Sequence, residues 1–462
     1  MRFKTSGLPI LALSAVLLFG ACKKDKGDDT GTPPPPEPPS LADKHKDTTV
    51  LYSRDIYLWH TQIPSTFNGR AYSDPAKIME AIRVYSKEPG FANPVDEWSF
   101  AVDQDSWDNV SGGVSQDFGM EIFFLGPNDL RVKLVEQNSP AGKAGVRRGW
   151  QIVSINGNSN INTTQSSINF IIENVYNSAS SSFVFKKADG TETSLTLNGA
   201  SYQTSPILFD SIYTAGTKKV GYLAFNSFLG DTNQVYNRFN EVFSEFAQAN
   251  ITDVVIDLRY NGGGYVSVQD KLANYLVPVA GNGDVMMNQE FNERYADWNE
   301  TSRFSKLGTL DLDRIFFIVS ENTASASELL INNLTPFMDV KIVGPSPSYG
   351  KPVGYFPIPV GDWYIFPISF RSTNKLGSGN YFDGFIPDKQ VGDGLDKDWG
   401  DPQEACLATA LGYINLGTFG AMPELPGVAA MERTRDSRVL EGNRRFAKKS
   451  FKGMVDTRRM KQ

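Results

Sequence analysis

Apolar residues recur along this chain in three successive rhythms, and each rhythm predicts a different kind of structure. Up to about residue 109 the spacing is helical. Val50, Ile56, Tyr57 and Trp59 define one helix, and residues 76–85 another behind the start signal Ser73-Asp74-Pro75. Across residues 110–197 the pattern shortens to strands and glycine-rich turns. Strands are predicted at 120–125, 131–136 and 150–156, a short helical turn within 139–145, and a helix at 163–175 with Ile168, Ile171 and Ile172 on one face. Residues 182–187 and 191–197 flank Asp189-Gly190, a two-residue hairpin signal. From 201 to 417 strand and helix alternate. Residues 254–258 are apolar apart from Asp257, as a buried parallel strand requires, and Phe239, Val242, Phe243 and Phe246 line one face of a helix at 233–250. Further strands fall at 220–224, 314–320 and 340–343, and helices at 326–334 and behind Asp401-Pro402-Gln403-Glu404, where the glutamate completes a capping box. The fold class expected is therefore α/β and multidomain: an N-terminal helical region (41–109), a β-rich domain (110–198) and an α/β core (199–417).

Composition changes this picture mainly at the two ends. The 462 residues are 40% hydrophobic, enough to fill real cores, and the net charge of −7 offers no footprint for nucleic acid. Residues 1–22 have the form of an export signal, with Arg2 and Lys4 before an apolar stretch and Phe19-Gly20-Ala21-Cys22 at its end. A cysteine at that position resembles the bacterial lipoprotein signal, which implies lipid on Cys22. The place implied is the bacterial cell envelope, at the periplasmic face of the outer membrane, with surface export left open. Residues 23–40, charged and then proline-rich, predict a stiff tether. Residues 432–462 carry eleven Lys/Arg and four acids without sustained apolar periodicity, so 418–462 is expected to be a flexible basic tail. Cys406 is left without an intramolecular partner and is expected as a small buried apolar residue. No metal or cofactor motif is present, and none is expected to be needed.

Chemistry concentrates in three places in the core. Thr323-Ala324-Ser325-Ala326-Ser327-Glu328 stands at a strand-to-helix turn. Ser325-x-x-Glu328 reads as a capping box, which needs no catalysis. The same position suits a nucleophile, because a helix N-terminus stabilises developing negative charge. Thr323, Ser325 and Ser327 are all hydroxyl candidates. Asp257-Leu258-Arg259-Tyr260-Asn261-Gly262-Gly263-Gly264 ends a buried strand in three glycines, where backbone N–H groups can face a ligand or simply make a tight turn. Lys351 follows the strand at 340–343 and a turn. An exposed turn lysine is the ordinary expectation, whereas burial among Tyr349, Val353, Tyr355 and Phe356 would depress its pKa and make it a base. The only histidines are His45 and His60, both far upstream, so a hydroxyl nucleophile here would turn to a lysine.

Two resemblances bear on these residues. Ser139-Pro140-Ala141 through Gly145, followed by Gly149-Trp150-Gln151-Ile152-Val153-Ser154-Ile155-Asn156-Gly157, resembles a PDZ domain. That family binds peptide termini at a loop matched here by Phe118, Gly119 and Met120, with Asp117 where a glycine is usual. A PDZ module, then Asp-Leu-Arg-x-Asn-x-Gly-Gly, Ser-Ala-Ser-Glu and Gly-Lys, resembles the S41 serine peptidases, the C-terminal or tail-specific processing proteases, over most of residues 110–415. The resemblance implies a ClpP/crotonase-like core, Ser325 as nucleophile and Lys351 as base. It implies an oxyanion hole of Ala326 and a glycine of the Gly262-Gly263 pair, and protein or peptide substrates. Many relatives place an orienting glutamine four residues after the lysine, where this chain has Tyr355. A catalytically silent, peptide-docking lipoprotein is the rival expectation.

Overall fold

The computed structural model describes residues 38–419, 437–446 and 451–457. The signal-like stretch with Cys22, and the tether up to residue 37, lie outside the described residues. Among the described residues no helix is long and apolar enough to cross a membrane.

The centre is a six-stranded sheet ordered Lys389–Gln390, Asp339–Gly344, Arg314–Ile318, Asp253–Asp257, Lys218–Phe225 and Ile207–Ala215. Its strands run parallel except Ile207–Ala215, which pairs antiparallel at one edge. Strand Asp253–Asp257 is buried throughout, which is why Val254, Val255 and Ile256 between its two aspartates are all apolar. Helix Thr232–Gln248 starts where Asp231 accepts from Asn233 and Gln234 N–H, and it buries Val235, Phe239, Val242, Phe243 and Phe246 on one side of the sheet. Helix Ala405–Leu416 covers the other side, with Cys406 and Leu407 fully buried. Its cap is Glu404 rather than the start expected at Asp401, because the Glu404 carboxylate accepts from Leu407 N–H.

The two connections leaving the carboxyl ends of strands Asp253–Asp257 and Arg314–Ile318 are the glycine turn and the Ser325 turn. Adjacent parallel strands bring their exits together at one rim of a sheet, the usual place for a site in this architecture. Arg259 anchors that rim. It is fully buried and bonds the carboxylates of Asp257 and Glu404, with a further bond to Asp393. Arg259→Ala would leave Asp257 and Glu404 without their cation and Asp393 with Arg148 alone. The expected loss is about 3–5 kcal/mol, read from urea unfolding against the parent chain.

The N-terminal region contains helices Leu41–Ile56 and Pro75–Ile82, the second capped by Asp74, but it ends in a strand, Phe100–Asp103. That strand pairs with Trp363–Phe366, so the region shares one hydrophobic cluster with the core segment 353–370. Residues 120–198 form a five-stranded antiparallel sheet with helix Gln165–Val175, and strand Met120–Gly126 lies at its edge. Arg148 ties this unit to the core through Asp393, Gly394 and the Trp399 ring.

The expected flexible tail is corrected in part. Ser437–Phe446 is a helix whose Val439 and Phe446 enter the core of the 120–198 unit, and Gly453–Val455 is a strand paired with Gly263–Tyr265. A stripe of only two large apolar residues in the helix suffices because the receiving groove supplies the remaining apolar surface.

Candidate active site

Ser325 has φ +59° and ψ −105°, a conformation that costs a residue with a side chain roughly 1–3 kcal/mol and persists only where surroundings impose it. The surroundings here are bonds to the main chain on both sides. Ala324 N–H donates to Asn261 O, Thr323 Oγ1 to Leu258 O and Ser327 Oγ to Asn261 O. Those last two bonds separate the three hydroxyl candidates, since Thr323 and Ser327 spend theirs on backbone carbonyls. Ser325 Oγ is buried and has no hydrogen-bond partner among the described residues. The predicted capping-box pairing of Ser325 with Glu328 is present, but only its glutamate half is a hydrogen bond. Glu328 Oε2 accepts from Ser325 N–H at 2.8 Å, but the serine hydroxyl does not cap the helix.

Glu328 does more than its capping position implied. Its carboxylate also accepts from Ser348 Oγ (2.6 Å), Gly350 N–H (2.6 Å) and Lys351 N–H (2.8 Å). One buried carboxylate thus bolts the serine turn to the lysine turn. Burial pushes its pKa up, while four donors support the anion. Only the pairing of Ser325 with Glu328 is local; the other three partners lie 20 to 23 residues on, beyond any local pattern.

Lys351 is fully buried, and burial holds its pKa well below the ordinary lysine range. Its Nζ lies 3.9 Å from the centre of the Tyr355 ring and 5.7 Å from that of Trp98. Trp98 comes from the N-terminal region and had no signal in the sequence. Lys351 Nζ donates to Lys452 O at 2.9 Å, and Tyr355 OH donates to the same oxygen at 3.0 Å. No hydrogen bond joins Ser325 Oγ to Lys351 Nζ.

The glycine turn lies against the start of helix Ala326–Leu334. A methyl group built on Gly263 would sit 3.0 Å from Ala326 N and collide with Gly453 O, and one on Gly262 would collide with Phe451 O. Bare backbone at both positions therefore leaves room for the carbonyls of Phe451 and Gly453 beside the helix N-terminus. The Gly263 N–H is itself donated to Asn261 Oδ1 at 2.9 Å. His60 bonds Glu293, and neither histidine hydrogen-bonds Ser325.

The expected peptide loop in the 120–198 unit is placed differently. Phe118 and Met120 are buried in that unit's core, and the Gly119 N–H is taken by Asp117 Oδ1 at 2.7 Å, which also accepts from Tyr202 OH. An internal carboxylate thus holds the N–H that the PDZ resemblance implied for a peptide terminus.

Residues 219–388 match the family model "Peptidase family S41". The chain is similar to the carboxy-terminal processing protease CtpB of Bacillus subtilis (strain 168), with 27% identity over 266 residues, covering 56% of this chain and 50% of that protein. It is also similar to a CtpA-like serine protease of Staphylococcus aureus (strain N315), 26% identical over 266 residues, covering 56% of this chain and 49% of the relative. The chain thus spans about half the length of the curated relatives it matches. Among solved structures, an S41 protease structure from Bacteroides fragilis NCTC 9343 superposes with a TM-score of 0.67 at 19% identity, over 83% of this chain and 99% of that one, a likeness of fold. The glycine turn, Ser325 and Lys351 all lie inside the stretch 219–388 that matches this family model.

Proposed function

We propose that this chain is a serine endopeptidase working through a Ser325–Lys351 pair on exported proteins or unfolded C-terminal tails. The observation that carries the proposal is the strained Ser325 with its hydroxyl unspent, on the same carboxylate scaffold as a buried lysine of depressed pKa. Neutral Lys351 accepts the Ser325 proton as Oγ attacks the peptide carbonyl, and passes it to the leaving amine as the acyl-enzyme forms. Water then attacks the ester, with Lys351 again taking the proton. Ala326 N–H and the glycine turn stabilise the oxyanion; because Gly263 gives its own N–H to Asn261, Gly262 is the preferred glycine donor. Tyr355 takes over the orienting place of the glutamine, holding Nζ over its ring face rather than by a side-chain amide. The names of the relatives, carboxy-terminal processing among them, support tails as substrates. Attachment to the envelope through Cys22 completes the proposal, with the peptidase held at a membrane surface.

The test is cleavage of an unfolded protein by the chain lacking residues 1–40, beside Ser325→Ala, followed by mass spectrometry of the products. The parent is expected to give products that Ser325→Ala reduces by about 10³-fold or more. Equal cleavage by the two would overturn the assignment of Ser325. A parent and a Gly453→Val chain that both leave the substrate intact would overturn the peptidase itself, in favour of a silent docking protein.

A further inference from the structure

Two segments near the C-terminus occupy the two surfaces that an incoming polypeptide would need. Helix Ser437–Phe446 lies against the edge strand Met120–Gly126 and helix Gln165–Val175, the groove in which a PDZ-like unit takes its ligand. Asn443 imitates a pairing strand there, with Oδ1 accepting from Phe124 N–H at 2.7 Å and Nδ2 donating to Phe124 O at 3.0 Å. Val439 is fully buried, the Phe446 ring lies 5.3 Å from that of Phe124, and a side chain on Gly442 would press on Phe124 and Ile168.

The second segment threads the candidate active site. Strand Gly453–Val455 runs parallel to Gly263–Tyr265, with Gly453 N–H on Gly262 O at 2.9 Å. On its other side Tyr355 N–H donates to Met454 O, and Asp456 N–H to Tyr355 O. Phe451 packs on Trp107 and Tyr355, while Met454 and Val455 are buried. Lys452 lies over the Tyr349 ring, and its carbonyl accepts the hydrogen bond from Lys351 Nζ.

We propose that residues 437–446 and 451–457 are an intramolecular ligand that closes this site: the helix fills the PDZ-like groove and the strand occupies the catalytic cleft. As a statement about activity this rests on the peptidase function proposed above. The segment behaves as an inhibitor rather than a substrate because Lys452 O diverts Lys351 from Ser325, so the pair is not assembled while the strand is in place. The partner that opens the site is, by the same chemistry, an amphipathic helix with apolar residues spaced like Val439 and Phe446, and not a free peptide carboxylate, whose place Asp117 holds.

The test compares the parent chain with Gly453→Val, whose added side chain would meet Phe451 and the Tyr355 hydroxyl, and with Phe446→Asp, which weakens only the helix. Amide exchange of residues 451–457 is followed by mass spectrometry, cleavage of an unfolded protein is measured in parallel, and a synthetic peptide of residues 437–457 is added back to Phe446→Asp. The expected result is slow exchange in the parent, fast exchange in both variants, cleavage raised at least tenfold, and reversal by the peptide. Fast exchange of 451–457 in the parent, or measurable cleavage that is as fast in the parent as in Gly453→Val, would overturn the proposal. So would Ser325-dependent shortening of the parent within 451–457, which would make the segment a substrate. Slow exchange that both variants release, with cleavage in none of the chains, supports the closure and counts instead against the peptidase.

Discussion

Lys351→Met is expected to cut the rate of peptide cleavage by about 10²–10⁴-fold while leaving the chain folded. The methionine keeps the length of the lysine stem and removes a group that burial already disfavours, so the folded state loses little. What disappears is the base proposed to take the Ser325 proton, and neither histidine hydrogen-bonds that serine. The same depressed pKa fixes the pH profile of the parent. A protonated lysine cannot accept the serine proton, so activity is lost below the folded pKa of Lys351 and rises as pH climbs through it. Because burial lowers that pKa, the ascending limb falls well below the ordinary lysine value of about 10.4. Initial rates across pH for parent and Lys351→Met check both statements. A parent profile rising only near the ordinary lysine value would contradict the burial argument, and an active Lys351→Met would remove the lysine from the mechanism.

Glu328→Ala is expected to abolish activity and to destabilise the chain by more than about 3 kcal/mol. Its carboxylate receives the N–H groups of Ser325, Gly350 and Lys351 and the hydroxyl of Ser348, all buried with it. Removing the acceptor strands several donors at once, each costing roughly 1–3 kcal/mol where water cannot replace it. Glu328→Gln separates position from charge. Its carbonyl oxygen can still accept, but its amide adds donors where the pocket already holds four, so partial stability and a large loss of rate are expected. Thermal unfolding and cleavage measured on both variants decide the matter: full activity in Glu328→Gln would mean that the two turns do not need this carboxylate to stay aligned.

Much of the architecture was legible before any coordinates because the periods were strong. The parallel strands of the core announce themselves as apolar runs, and Phe239, Val242, Phe243 and Phe246 fall on one buried face as their spacing requires. Ser325 and Lys351 could be nominated from motif order and from the scarcity of histidine. Three features were not legible. Trp98 enters the lysine pocket from the N-terminal region, and nothing in its local sequence points there. Glu328 could be seen as a helix cap, but its bonds to Ser348, Gly350 and Lys351 join segments more than a helix apart. The tail looked unstructured because a basic segment with few apolar residues has no face of its own to bury; Val439 and Phe446 find one only in a groove formed by residues some 300 positions earlier.

By itself the sequence determined the main helices and strands of the core, the alternating order that makes it α/β, and the short group of residues from which a nucleophile and a base could come. Those depend on local spacing and on side-chain chemistry, which a linear chain carries in full. Only the tertiary structure left Ser325 as the unbonded hydroxyl of the three, by spending Thr323 and Ser327 on backbone carbonyls, and only burial made Lys351 a candidate base. It alone also brought Lys452 to the lysine and Gly453 to the glycine turn. Hydrogen-bond partners and desolvation are properties of neighbours in space, and these neighbours stand as much as about 190 residues apart along the chain.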